Sequence, residues 1–120
     1  MANILSISYN ATLLITRQML LEQMGHTVDS AEGFSKAYKF CEGHKPHYDL
    51  IVLGHSIPHD DKVVLVEQCT KACNCPILAL LRHTEAAVPG AARSIDSSDP
   101  RAFIAAVNDV LKDRKKSRRS

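Results

Sequence analysis

The stretch Tyr48–Asp61, YDLIVLGHSIPHDD, decides the fold. Within it Leu50–Leu53 is an unbroken apolar run between Asp49 and Gly54, and Ile51 and Val52 favour a strand. A strand that is apolar on both faces belongs in the middle of a helix-covered parallel sheet, because there both faces find cover. Ligands and chemistry in such sheets gather beyond the carboxyl ends of the strands, so Gly54, His55 and the residues after them occupy the place to search. A glycine, two histidines, a proline and a pair of aspartates stand there.

Toward the amino end, Asn3–Ser8 reads as a first strand. Ala11–Met24 follows as a helix, with Leu13, Leu14, Leu20, Leu21 and Met24 at helical spacing and Arg17 interrupting the stripe. Asn10 or Thr12 can cap its start, and Gly25 stops it. His26–Ala31 is a short edge-like strand with Val28 turned inward. Gly33–Glu42 reads as a second helix burying Phe34, Ala37, Tyr38 and Cys41, ended by Gly43, His44, Lys45 and Pro46.

Toward the carboxyl end, a loop through Asp61 leads into a helix over Lys62–Ala72, carried by Val63, Val64, Val66, Cys69 and Thr70. Its β-branched residues weaken the helix, but the period survives. Pro76 opens the apolar strand Ile77–Leu81, and Arg82–Pro89 is too short and mixed for more than a turn or two of helix. Ala91–Ile95 is a weak last strand. Asp99 caps a final helix, with Pro100 in its first turn, that runs to Asp113 and turns Phe103, Ile104, Val107, Val110 and Leu111 to the sheet. Strands alternating with helices give an α/β fold, a doubly wound five-stranded parallel sheet.

The 120 residues suit one domain. Residues 1–113 form it, and 114–120 are expected to fray as a basic tail. The formal charge of +2 comes largely from the terminal KDRKKSRRS, so the body carries no strongly basic face. That tail, with Arg114, Lys115, Lys116, Arg118 and Arg119, has no aromatic stacker and no recognition helix, which argues against nucleic acid as a partner. No apolar run approaches the roughly 20 residues that cross a membrane, and no charged start precedes a long apolar stretch, so a cytoplasmic protein is expected. Cys41, Cys69, Cys73 and Cys75 do not show the paired C-x2-C spacing of structural zinc sites. Semi-buried thiols are expected, with redox sensing or metal binding by Cys69, Cys73 and Cys75 as the alternative.

In their order and spacing, ILSIS, LLEQMGHTVDSA, YDLIVL, IP, CPILALL and DPRAF make the chain resemble the receiver domain of bacterial response regulators over nearly its whole length. The resemblance implies the flavodoxin-like strand order 2-1-3-4-5 and an aspartate at the end of the third strand that accepts a phosphoryl group from a histidine kinase. The matching residue here is Gly54. The acidic magnesium ligands of the family match Ser8 and Tyr9, its hydroxyl residue matches Leu81, and its lysine falls on Asp96 or Ser97. Phosphoryl transfer needs an acceptor oxygen, a metal and a charge-neutralising group, and none stands in its place. The resemblance therefore implies a receiver-like domain without receiver chemistry, neither an enzyme nor dependent on a cofactor.

The chain between Leu81 and Asp96 is shorter than the family's, so the fourth helix is shortened or lost. Its loss is expected to uncover an apolar face that includes Ile77, Leu81, Val88, Ile95 and Phe103, for a homodimer or another signalling protein. The alternative is a small-molecule or metal sensor at the strand tips, using His55, His59, Asp60 and His83 beside Ser8, Tyr9 and Asp96. A phosphorylated His55 finds little support, because it would sit on a loop with no cation expected near it except Arg82, and a serine hydrolase finds none, because the G-x-S-x-G elbow is missing.

Overall fold

A computed structural model describes residues 2–42, 48–73, 75–82, 84–96 and 99–119, with side chains followed to Asp113. The order is β1 (Asn3–Ser8), α1 (Ala11–Gln23), β2 (Thr27–Glu32), α2 (Phe34–Glu42), β3 (Leu50–Leu53), α3 (His59–Cys73), β4 (Ile77–Leu81), β5 (Arg93–Asp96) and α4 (Pro100–Arg119). All five strands are parallel, in the order β2-β1-β3-β4-β5. As the apolar run Leu50–Leu53 requires, β3 is central and wholly buried.

Strand alternation divides the core in two. Leu5, Ile7, Ile51, Leu53, Ile77 and Ala79 pack with Ala37, Cys41, Leu65 and Cys69, so α2 and α3 cover that face. Ile4, Leu50, Val52, Leu78 and Leu80 pack with Leu21, Phe103, Val107 and Val110, which places α1 and α4 on the other. The start of α1 is capped by Asn10, whose side chain accepts from the Leu13 N–H at 3.1 Å. Gly25 leaves the helix at φ 92, and the His26 N–H bonds back to the Leu21 carbonyl at 3.2 Å. Asp99 caps α4 through the Arg101 N–H at 2.9 Å.

Several expectations are corrected. Helix α3 starts at His59, not Lys62, so His59, Asp60 and Asp61 lie in its first turn instead of a loop. The Lys62 N–H already bonds to the Pro58 carbonyl at 3.0 Å, and two carboxylates at a helix amino end favour its dipole. The buried stripe of α3 is Lys62, Leu65, Val66 and Cys69, while Val64 and Thr70 face solvent. Tyr38 likewise lies outside the buried stripe of α2, at 38 % exposure. Helix α4 continues through the basic segment to Arg119, beyond the expected end at Asp113. Lysine and arginine are good helix formers, and their charge suits a helix carboxyl end. The expected stop at Gly43, His44, Lys45 and Pro46 lies outside the described residues.

Among the described residues no helix joins β4 to β5, as the short crossover requires. The strand it was expected to uncover is nevertheless closed. Ile77, Val88 and Phe103 are buried and Leu81 and Ile95 half-buried, so they form no open docking face. The crossover segment itself takes the helix's place. Val88 enters the core beside Leu65, Val66 and Ala79, its N–H bonds to Ser94 Oγ at 3.1 Å, and the Ala92 N–H bonds to the Ile77 carbonyl at 2.8 Å. Replacing Val88 with aspartate is therefore expected to destabilise the domain by about 2 kcal/mol or more. Urea unfolding of Val88→Asp checks it, and an unchanged midpoint would mean that the segment does not seal the strand.

Candidate functional site

The strand tips carry a cluster built around two buried cations. In the alternation of β3, residue 54 continues the Leu50–Val52 side, which faces α1. Arg17 stands opposite on α1, three residues after Leu14 and four before Leu21, and all three are buried. The apolar stripe is thus continued by an arginine rather than interrupted by it. A Cβ at residue 54 would lie 2.7 Å from Arg17 Nη1, 3.1 Å from the Ile7 carbonyl oxygen and 3.3 Å from Ser8 Cβ. A side chain here would have to push the guanidinium tip aside and press on the Ile7 carbonyl, so glycine suits the space.

Arg17 Nη2 donates to His55 Nδ1 at 3.0 Å, while Nη1 has no hydrogen-bond partner among the described residues. Because arginine only donates, His55 must be neutral at Nδ1. Burial, and then the charges of Arg17, Lys62 and Arg82, push His55 below its usual 6.5. Burial also lowers Arg17 from its ordinary value.

The second cation is Lys62, with no exposed side-chain surface. Its Nζ donates to Glu85 Oε1 at 2.6 Å, and His59 Nδ1 donates to Glu85 Oε2 at 2.9 Å. A turn closed by the Glu85 N–H on the Arg82 carbonyl, with Thr84 at φ 66, presents the carboxylate, which also accepts from the Arg82 N–H. Burial works to raise the Glu85 pKa. The bonds from Lys62, the Arg82 N–H and His59, with the Lys62 charge, outweigh it and hold the carboxyl at about 2. Burial in turn lowers Lys62, and Glu85 partly offsets that. Arg82 reaches back over the loop, donating to the His55 and Ser56 carbonyls at 2.9 and 2.7 Å.

Ser8 and Tyr9 are also engaged. Ser8 Oγ lies 3.0 Å from Ser56 Oγ and bonds the Asn10 backbone, and Ser56 Oγ accepts from the Tyr9 N–H. The Tyr9 hydroxyl donates to Asp61 at 2.9 Å. Burial, then that bond and the Asp61 charge, raise Tyr9 to about 12. Leu81 packs on the core at half burial, and Asp96, its register partner on β5, is exposed.

Of the proposed ligand set, His55 is held by Arg17 and His59 by Glu85, and Asp60 faces solvent. These three do not converge, and His83 and Ser97 lie outside the described residues. Among the described residues no group of three metal-ligating side chains assembles. Sequence reading missed Arg17, Lys62 and Glu85, which dominate the electrostatics. The available signal was a charged residue at a stripe position in each of α1 and α3.

Two measurements test the cluster. Gly54→Ala is expected to cost about 1–3 kcal/mol by overpacking, and less in an Arg17→Ala background, where only the Ile7 carbonyl and Ser8 still crowd the methyl. A double-mutant cycle in urea reads the coupling, and strict additivity would remove the proposed contact. Glu85 has a folded pKa of about 2 against an ordinary 4.5. Its contribution is therefore present above pH 4.5 and lost as pH falls toward 2, by up to about 3 kcal/mol. Glu85→Gln is expected to be less stable at neutral pH and to flatten the stability profile across that window.

No protein-family model matches the sequence, and no characterised protein matches it in sequence. Solved structures do match. A response regulator receiver domain protein from Clostridium thermocellum superposes with a TM-score of 0.83 at 19% identity, over 96% of this chain and 98% of that one. A receiver domain protein from Methanospirillum hungatei gives 0.82 at 18%, over 96% and 97%. The non-phosphorylated HemR receiver domain from Leptospira biflexa gives 0.78 at 24%, over 92% and 94%. With its five parallel strands in the order β2-β1-β3-β4-β5 and helices on both faces, the chain has the fold of a response regulator receiver domain.

Proposed function

We propose that this is a receiver-like signalling domain that is not phosphorylated and acts by contact with another protein. One observation carries the reading: at the tip of the central strand, where the resemblance puts the phosphoacceptor, Gly54 has no side chain and the Arg17 guanidinium occupies the adjoining space. A strand tip without an oxygen nucleophile cannot form an acylphosphate.

The residues present do not fit a magnesium ion. Magnesium takes oxygen ligands in near-octahedral order, usually with one or two carboxylates. Here the Ser8 hydroxyl is bonded to Ser56 and Asn10, the Tyr9 phenol is neutral, and Asp61 accepts from Tyr9. Two buried cations nearby add repulsion. No step through a metal follows for this site.

Contact with a partner is supported by Ile15 and Met19, 60% and 57% exposed on successive turns of α1. Exposed apolar surface on an otherwise well-buried domain is a feature of docking sites. The partner is a second copy or another signalling protein, and the domain works in the cytoplasm. Among the described residues no helix is long and apolar enough to cross a membrane. The sensor reading has less behind it, because Tyr9 and His55 spend their polar atoms on Asp61 and Arg17. Incubation with acetyl phosphate and magnesium is expected to leave the intact mass unchanged. A stable gain of one phosphoryl group would overturn the proposal.

A further inference from the structure

Away from the strand tips, α2 and α3 bring two thiols into direct contact. Cys41 ends the buried stripe of α2, four residues after Ala37, and Cys69 follows Leu65 and Val66 on α3. They are 3% and 1% exposed, and their Sγ atoms lie 2.6 Å apart. Two thiols in contact need little movement to reach the ~2.05 Å of a disulfide bond. The two residues are 28 positions apart, so the tertiary fold makes this pair. Cys75, the other cysteine with a described side chain, is buried in the same cluster.

We propose that Cys41 and Cys69 form a redox-active dithiol, which hydrogen peroxide closes to a disulfide linking α2 to α3. One thiolate attacks the peroxide, giving a sulfenic acid and one water. The neighbouring thiol then attacks that sulfur, the S–S bond forms, and the hydroxyl leaves with a proton as a second water. The two cysteines lose two electrons, and the peroxide, reduced to two waters, takes them. The second step is intramolecular between atoms already in contact, so the sulfenic acid is trapped before further oxidation. The bond would tie α2 to the helix that carries Asp61 and Lys62 at its other end, making the strand-tip cluster sensitive to oxidant.

The ordinary alternative is two inert thiols that fill a core. Treatment of the native protein with stoichiometric hydrogen peroxide, followed by alkylation and non-reducing peptide mapping, separates the two. The dithiol predicts loss of two hydrogens from the intact mass, one linked peptide pair containing Cys41 and Cys69, and reversal by a dithiol reductant. Cys75→Ser should behave as wild type, and Cys41→Ser should stop at a sulfenic or more oxidised Cys69. Unchanged thiols, irreversible oxidation of either residue in the wild type, or a link made through Cys73 or Cys75 would overturn the proposal. Because the mapping is done on the unmodified sequence, a variant that misfolds does not leave the question open.

Discussion

The strand-tip architecture depends on one arrangement: a guanidinium buried beside a residue with no side chain. Arg17 reaches the sheet where Gly54 leaves room, and any side chain at 54 would have to displace it. The arrangement is costly. Burial acts against the Arg17 charge, and among the described residues one of its terminal nitrogens lacks a partner. What compensates is the neutral imidazole of His55 and a place on the buried stripe of α1, where a long aliphatic stem can be covered.

A second buried cation on the other face makes the same demand and meets it differently. Lys62 is fully covered and is balanced by a carboxylate delivered by a turn 23 residues further on. A lone buried ammonium would shift toward neutrality or destabilise the fold, so the short crossover must run where Glu85 can meet it. The same segment carries Val88 into the core and bonds to Ser94 and Ile77. With one stroke it closes the hydrophobic gap left by a missing helix and neutralises a charge. The shortened connection is thus a working part of the core, not an opening in it.

Together these features give a strand tip whose polar atoms bond mostly to one another. Chemistry at a site needs groups held ready for a ligand, and here Tyr9, Ser8, Ser56, His55 and His59 are held by protein partners. Such a cluster spends its polar groups on holding the strand tips together.

The sequence by itself determined the sheet and most of its dressing. The apolar run Leu50–Leu53 required a central parallel strand, Asn10 and Asp99 capped their helices, Gly25 stopped α1, and the short link after Leu81 removed a helix. These are local effects of period, capping and backbone freedom, and they can be read one segment at a time. Only the tertiary structure decided that Arg17 and Lys62 are inside, that Glu85 meets Lys62, that Val88 seals β4, and that Cys41 touches Cys69. A charged residue is stable in a core only if a distant segment supplies its partner or its space, and which segments meet is a property of the packed sheet that no stretch of chain contains.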